Sequence, residues 1–149
     1  MNWVQTVVPV GRGDEGFDVS PDGKEIWTAN AQDGTVSIID IVSKKVTATL
    51  DANVRSANRL KFTPDGKLVL ISMLGVPEVV VLDAATHNPV KRIKIVGGAA
   101  GIQMQPDGSR AFVASTQGNQ VEVIDLKTLS VSSHIDAGGG PDGMAWAIR

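Results

Sequence analysis

The sequence contains no cysteine, so disulfide bonds, zinc sites built on thiolates and a thiol nucleophile are all excluded. No apolar run approaches the roughly 20 residues that a membrane-spanning helix needs. The formal net charge of −2 gives no electrostatic basis for binding nucleic acid or an acidic membrane surface. We therefore expect neither a nucleic-acid partner nor a membrane span.

Signals for export and for catalysis are also missing. Residues 1–5 have neither the basic start nor the apolar stretch of a secretion signal. The two histidines, His87 and His134, have no second imidazole at ligand spacing, and no G-x-S-x-G motif marks a serine nucleophile. The sequence predicts no catalytic residue, no metal and no cofactor.

A four-residue motif recurs along the chain at a nearly constant interval. Ser20-Pro21-Asp22-Gly23 returns as Thr-Pro-Asp-Gly at residues 63–66 and as Gln-Pro-Asp-Gly at residues 105–108, so its aspartates stand 43 and then 42 residues apart. A period of this length that contains only strand-like segments is typical of a β-propeller with one four-stranded blade per repeat.

Each repeat predicts four antiparallel strands, which we call A to D. In the first repeat, strand A covers residues 16–20, B covers 25–30, C covers 36–40 and D covers 45–50. The motif between A and B is interpreted as a hairpin turn, because proline presets φ, aspartate bonds the local backbone and glycine adopts a left-handed conformation.

The predicted fold class is all-β: a β-propeller of four-stranded antiparallel blades, with about three and a half blades in this chain. The complete blades are approximately residues 14–52, 57–96 and 99–137. An outer strand at 3–10 and an inner strand at 143–148 belong to an incomplete blade. Because closed propellers have about 4–8 blades, this is a partial ring.

Two ways of completing the ring follow from the strand count. In one, this chain is part of a longer propeller chain whose other residues supply the missing blades. In the other, two or more copies assemble as a homo-oligomer. A third interpretation is an isolated repeat unit.

The repeats resemble the YVTN family of β-propeller proteins. The resemblance is carried by residues 26–30 for strand B, by residues 36–40 for strand C and by the Ser-Pro-Asp-Gly turn. The later copies depart from it, since Met73 and Ser115 stand where Asn30 ends the first strand B. The resemblance implies a periplasmic or cell-surface protein, and a longer chain whose N-terminal part carries any export signal.

Candidate ligand-binding residues lie in the loops that connect D to A and B to C, because these loops meet at one mouth of a propeller channel. Their mixed charges predict a small polar ligand or a protein partner. The candidates are Arg12, Asp14, Glu15, Asn30, Arg55, Asn58, Arg59 and Asp142. Residues 11–16 match G-x-G-x-x-G, but a strand follows them instead of a helix, so we expect no dinucleotide site.

Two classes of function remain open at this point. The leading hypothesis is a non-catalytic binding or structural scaffold. The alternative is a propeller enzyme or enzyme subunit, either a lactonase-like hydrolase or a periplasmic oxidoreductase propeller. The absence of histidine from the predicted mouth counts against the lactonase analogy.

Overall fold

Twelve β-strands make up the regular structure of residues 3–147, which the computed structural model describes. The first sheet contains β1 (Asp14–Val19), β2 (Glu25–Asn30), β3 (Thr35–Asp40) and β4 (Lys45–Asp51). The second contains β5 (Ala57–Phe62), β6 (Leu68–Met73), β7 (Glu78–Asp83) and β8 (Pro89–Lys94). The third contains β9 (Ala99–Met104), β10 (Arg110–Ser115), β11 (Gln120–Asp125) and β12 (Ser130–Asp136). Residues 3–147 include no helix that is long and apolar enough to cross a membrane.

Each sheet is an antiparallel meander in which consecutive strands pair. Strand β5 contacts both β1 and β9, so the first strands of the three sheets lie side by side around one axis. We call the sheets blades one, two and three in chain order. This partial β-propeller confirms the predicted all-β fold class and its four-stranded antiparallel blades.

In blade one, β2 has the predicted bounds, whereas β1 begins at Asp14, two residues earlier than predicted. In β1 the pairing with β2 shifts register between Asp14 and Phe17, and β5 shifts between Ala57 and Arg59. A bulge of this kind interrupts the alternation of side chains, so the sequence pattern hides the start of the strand.

The apolar core lies between the blades. Strand residues alternate in direction, so β6 turns Val69 and Ile71 toward blade one and Leu70 toward blade three. Trp27 is fully buried against blade two, with its ring edge-on to Phe62 at 5.4 Å between centroids. Each blade therefore requires a neighbour on both faces.

The predicted lone strands at the two ends are not strands in the structure. Residues 3–10 and 143–147 have no strand pairing, and Ile148 lies outside the described residues. A strand forms by hydrogen bonding to a neighbour, and no neighbouring strand of an incomplete blade lies within residues 3–147. The assignment of both segments to one incomplete blade stays a prediction.

The recurring Pro-Asp-Gly motif closes the hairpin between the first two strands of each blade. In blade one, Asp22 Oδ1 accepts hydrogen bonds from the Lys24 amide (3.1 Å) and from Ser20 Oγ (2.7 Å). Gly23 has φ of +72° and donates its amide to Ser20 O at 2.8 Å. These contacts within the turn explain why the motif recurs in each blade.

A second set of aspartates closes the hairpin between the third and fourth strands. Asp83 Oδ1 accepts from the amides of Thr86 (2.7 Å) and Ala85 (3.0 Å), and Asp125 makes the equivalent contacts. These hydrogen bonds favour the charged carboxylate, so the pKa of Asp83 lies below its ordinary value of 3.8. The pKa of Asp40 is lowered by hydrogen bonds from the hydroxyl and then the amide of Ser43, and that of Asp125 by hydrogen bonds from the amide and then the hydroxyl of Thr128.

We expect the protein to lose stability in acid through these turns. A carboxylate whose pKa is lowered by folding stabilises the native state above its unfolded pKa, and this stabilisation is lost as the pH falls through the folded value. The urea midpoint should therefore fall from about pH 5 downward. In the triple variant Asp40→Asn, Asp83→Asn, Asp125→Asn, the urea midpoint should fall less steeply with decreasing pH. The control Ser132→Ala, which changes an exposed residue of β12 and removes no carboxylate, should keep the parent profile. An equally steep fall in the triple variant would contradict this assignment.

Candidate ligand-binding site at the channel mouth

The loops before each first strand and the turns after each second strand lie on one face of the propeller. In blade one, the Ala31 amide donates to Gly13 O at 2.8 Å. The same contact joins Leu74 to Ser56 in blade two at 3.0 Å, and Thr116 to Gly98 in blade three at 3.1 Å. We call this the mouth face. Repeated backbone hydrogen bonds hold its loops in place.

Arg12 forms an ion pair with Asp33, which is not among the predicted site residues. Its Nε and Nη2 lie 2.8 and 2.7 Å from Asp33 Oδ1, and its backbone amide donates to Asp33 Oδ2 at 2.8 Å. The amide of Arg12, followed by its guanidinium, holds the pKa of Asp33 below its ordinary value. Arg12 is exposed and Asp33 is half-buried, and the pair compensates the charge of Arg12.

Three of the predicted residues meet where β1 lies beside β5. Asn58 Nδ2 donates to Glu15 Oε1 at 3.3 Å, and Arg59 Nη1 donates to Asn58 O at 2.9 Å. Arg59 Nη1 also lies 4.0 Å from Glu15 Oε1. Asn58 is only 6% exposed, and its Oδ1 has no hydrogen-bond partner among the described residues. Contacts between two blades thus build this part of the mouth.

Arg55 lies nearer the rim of the mouth face. Its Nη1 donates to the backbone carbonyl of Gln32, in the turn between β2 and β3. Within residues 3–147, no carboxylate lies at ion-pair distance from this guanidinium. A depression of about 520 Å³ opens beside it. The lining residues are Asp33, Gly34, Thr35, Asp51, Asn53 and Arg55.

Arg55 is the one residue lining this depression that is also a predicted site residue. Asp33 carried a usable signal, because it precedes Gly34 in a turn that leads to the same face as Arg12. Asp51, at the end of β4, and Asn53 lie in the same predicted D-to-A loop as Arg55, although neither was among the candidates.

The structure does not bring Asn30 to the mouth surface. Its side chain is fully buried at the end of β2, and Nδ2 donates to Thr35 Oγ1 and Ser37 Oγ, both at 2.9 Å. Gly11 lies against it so closely that a Cβ there would stand 2.6 Å from Asn30 Cγ. These contacts indicate a packing role for Asn30 in blade one.

The two remaining predicted residues stand apart from this group. Asp14 begins β1, and Asp142 follows blade three with its carbonyl oxygen against Gly101 of β9. In the described part of the chain, neither side chain makes a hydrogen bond or ion pair with the other six.

The histidines lie away from the mouth face. His87 occupies the turn between β7 and β8, where its ring packs edge-on against Trp27 at 5.3 Å. His134 lies on the outer strand β12. Residues 3–147 include no group of three histidine, cysteine, aspartate or glutamate side chains that could hold a metal ion.

Comparison with known proteins supports the propeller architecture. A model of the family described as cytochrome D1 heme domain matches residues 2–101. Hydrazine synthase from Kuenenia stuttgartiensis is similar with a TM-score of 0.82 and 25% sequence identity, over 95% of this chain and 42% of that chain. The WD40 repeats of RRP9 superpose with a TM-score of 0.76 at 12% identity, over 85% of this chain and 39% of theirs.

These similarities differ in what they show. At 12% identity, the likeness to RRP9 shows the fold alone. No curated protein matches the chain. The chain spans about two fifths of the length of both solved structures.

Proposed function

This chain belongs to the cytochrome D1 heme domain family. We propose that it forms part of a larger β-propeller and serves there as a non-catalytic binding scaffold. The ligand is a small polar molecule or anion held at the mouth face. Arg55 and Arg59 supply the positive charge, and Asp51 and Glu15 supply acceptors at the border.

One observation carries this proposal. The guanidinium of Arg55 lines a 520 Å³ depression and has its Nη1 on a backbone carbonyl, with no carboxylate at ion-pair distance among residues 3–147. A guanidinium with unused donors binds carboxylate or phosphate groups in a forked geometry. The hydrogen-bonded loops around it are suited to hold such a ligand on a rigid scaffold.

We also propose that the repeats are of the YVTN type and that the protein works in the periplasm or at the cell surface. The support comes from residues 26–30 and the Pro-Asp-Gly turns, together with the buried packing of Asn30. The family match itself supports a propeller without distinguishing this repeat type.

Replacing both Arg55 and Arg59 with alanine is expected to weaken anion binding at the mouth. Each charge-assisted hydrogen bond contributes about 1.5–3 kcal/mol, so the affinity should fall by at least about tenfold. Isothermal titration with phosphate, oxalate and succinate measures this affinity. Arg110→Ala, which removes an exposed arginine at the start of β10, is the matched control. Equal affinities for the double variant and the parent would refute a role of the arginines.

The residues of this chain do not fit a complete heme site. Heme iron is held by histidine, cysteine, methionine or tyrosine, and the sequence contains neither cysteine nor tyrosine. His87 and His134 lie away from the mouth face, Met73 and Met104 are buried in the core, and Met144 faces a groove on blade three. Any axial ligand at the mouth therefore comes from outside the described residues.

The second candidate function is a propeller subunit of an oxidoreductase. It is favoured by the family match and by the similarity to hydrazine synthase. In that case this chain contributes blades and polar contacts, while other parts of the protein supply the reactive centre. A titration of the chain with hemin, followed by absorption spectroscopy, is expected to show no low-spin spectrum. A low-spin spectrum that disappears in His87→Ala would contradict this expectation. Hydrolysis of a lactone by the chain would contradict the proposal of a non-catalytic scaffold.

A further inference from the structure

The depression beside Arg55 lies between two loops that are joined by backbone hydrogen bonds. The amide of Val54 donates to Gly34 O at 3.0 Å, and the amide of Ser56 donates to Ala31 O at 3.0 Å. The loop that carries Arg55 is therefore tied to the turn between β2 and β3, and the walls of the depression form one hydrogen-bonded unit.

The side chain of Arg55 is held over this turn. A Cβ added at Gly34 would stand 3.0 Å from Arg55 Cγ, so the aliphatic stem of the arginine lies directly against the glycine. Its Nη1 donates to Gln32 O. Nε and Nη2 of Arg55 have no hydrogen-bond partner among residues 3–147, so both can donate to a ligand in the depression.

Asp51 places a negative charge in the same depression. It ends β4 opposite Thr35 of β3, and its Oδ1 accepts a hydrogen bond from the amide of Asn53 at 3.4 Å. Within the described part of the chain, no cationic side chain lies at ion-pair distance from this carboxylate. The depression thus holds a guanidinium and a carboxylate that are both without a charged partner.

The other charged groups around the depression are compensated. Asp33 pairs with Arg12 at 2.7 Å. Arg92 pairs with Glu78 at 3.2 Å and also donates to Asn53 O at 3.0 Å. These two ion pairs add no net charge to the depression.

A simple anion does not match this distribution of charge. Its carboxylate would bind the guanidinium of Arg55 but would be repelled by the carboxylate of Asp51. A ligand that carries an ammonium group as well as a carboxylate satisfies both side chains, because the ammonium donates charge-assisted hydrogen bonds to Asp51.

We propose that the depression binds a free amino acid, whose carboxylate pairs with Arg55 and whose ammonium group pairs with Asp51. This ligand class rests on the mouth-face function proposed above, since both depend on Arg55.

Isothermal titration with three matched pairs of ligands tests the ligand class. The pairs are glycine and acetate, β-alanine and propionate, and 4-aminobutyrate and butyrate. At least one amino acid is expected to bind the parent chain about tenfold more tightly than the carboxylate of the same length, because only the amino acid bonds to Asp51. Equal affinities within all three pairs would overturn the proposal.

The variant Asp51→Asn assigns the effect to its side chain. It should bind the preferred amino acid about tenfold more weakly and the matched carboxylate more tightly, because the attraction for ammonium and the repulsion of the anion are lost together. Asp136→Asn, which removes an exposed carboxylate at the end of β12, is the matched control and should bind as the parent does. An unchanged preference for the amino acid in Asp51→Asn would contradict the proposal.

The same titrations separate the ligand class from the proposed function. If phosphate, oxalate or succinate binds through Arg55 while no amino acid is preferred, the ligand class is wrong and the binding scaffold stands. If neither the anions nor the amino acids bind, both proposals are wrong.

Discussion

Replacing Trp27 with alanine is expected to lower the free energy of unfolding by about 3–5 kcal/mol, the largest effect of any single substitution considered for this chain. The indole is fully buried between blades one and two, with Phe62 edge-on at 5.4 Å and His87 at 5.3 Å. Its N–H also donates to Glu25 Oε2 at 2.8 Å. Alanine leaves a cavity that the hydrogen-bonded strands around it cannot fill.

Urea unfolding followed by circular dichroism measures this loss. Trp3→Ala is the matched control, because the Trp3 side chain is 93% exposed and no strand contains it. The control should stay within about 0.5 kcal/mol of the parent, as surface substitutions usually do. A Trp27→Ala protein that is as stable as the control would show that this interface does not hold the blades together.

The second large loss of stability is expected for Gly16→Ala, at a position where the inner strands of two blades approach each other. A Cβ there would lie 2.5 Å from Arg59 Cα and 2.7 Å from Leu60 N. Because backbone atoms cannot rotate away as a side chain can, Gly16→Ala must push β1 and β5 apart. Overpacking of this kind destabilises a protein by about 1–3 kcal/mol.

The same displacement should reach the mouth face. Glu15 precedes Gly16, and its contact with Asn58 crosses from β1 to β5. Gly16→Ala is therefore expected to weaken anion binding as well as stability. Gly139→Ala is the control, since its added Cβ would meet no atom within 4 Å. A Gly16→Ala protein as stable as the parent would show that β1 and β5 can move apart without a loss of stability.

Some parts of the candidate site were accessible to sequence reasoning and others were not. The assignment of Arg55, Asn58 and Arg59 to one face followed from their position in a periodic chain, because equivalent loops of a repeat lie on the same side. The ion pair between Arg12 and Asp33 did not follow, since it joins two loops whose side-chain directions depend on how the turns close. Asn30 was assigned to the mouth, yet it turns into the blade to bond Thr35 and Ser37.

The two ends of the chain were likewise predicted only in part from the sequence. The order of segments predicted an outer strand at residues 3–10 and an inner strand at 143–148. Strand formation needs a hydrogen-bonding neighbour, and such a neighbour is a property of the assembled sheet.

From its sequence alone, this protein is a succession of four-stranded units with a period of about 42 residues, because turn residues and strand alternation act over a few positions. Tertiary structure alone decided which charged side chains meet at the mouth and which blade face stays open. These outcomes depend on contacts between residues 20 or more positions apart, whose geometry emerges only when the blades pack against each other.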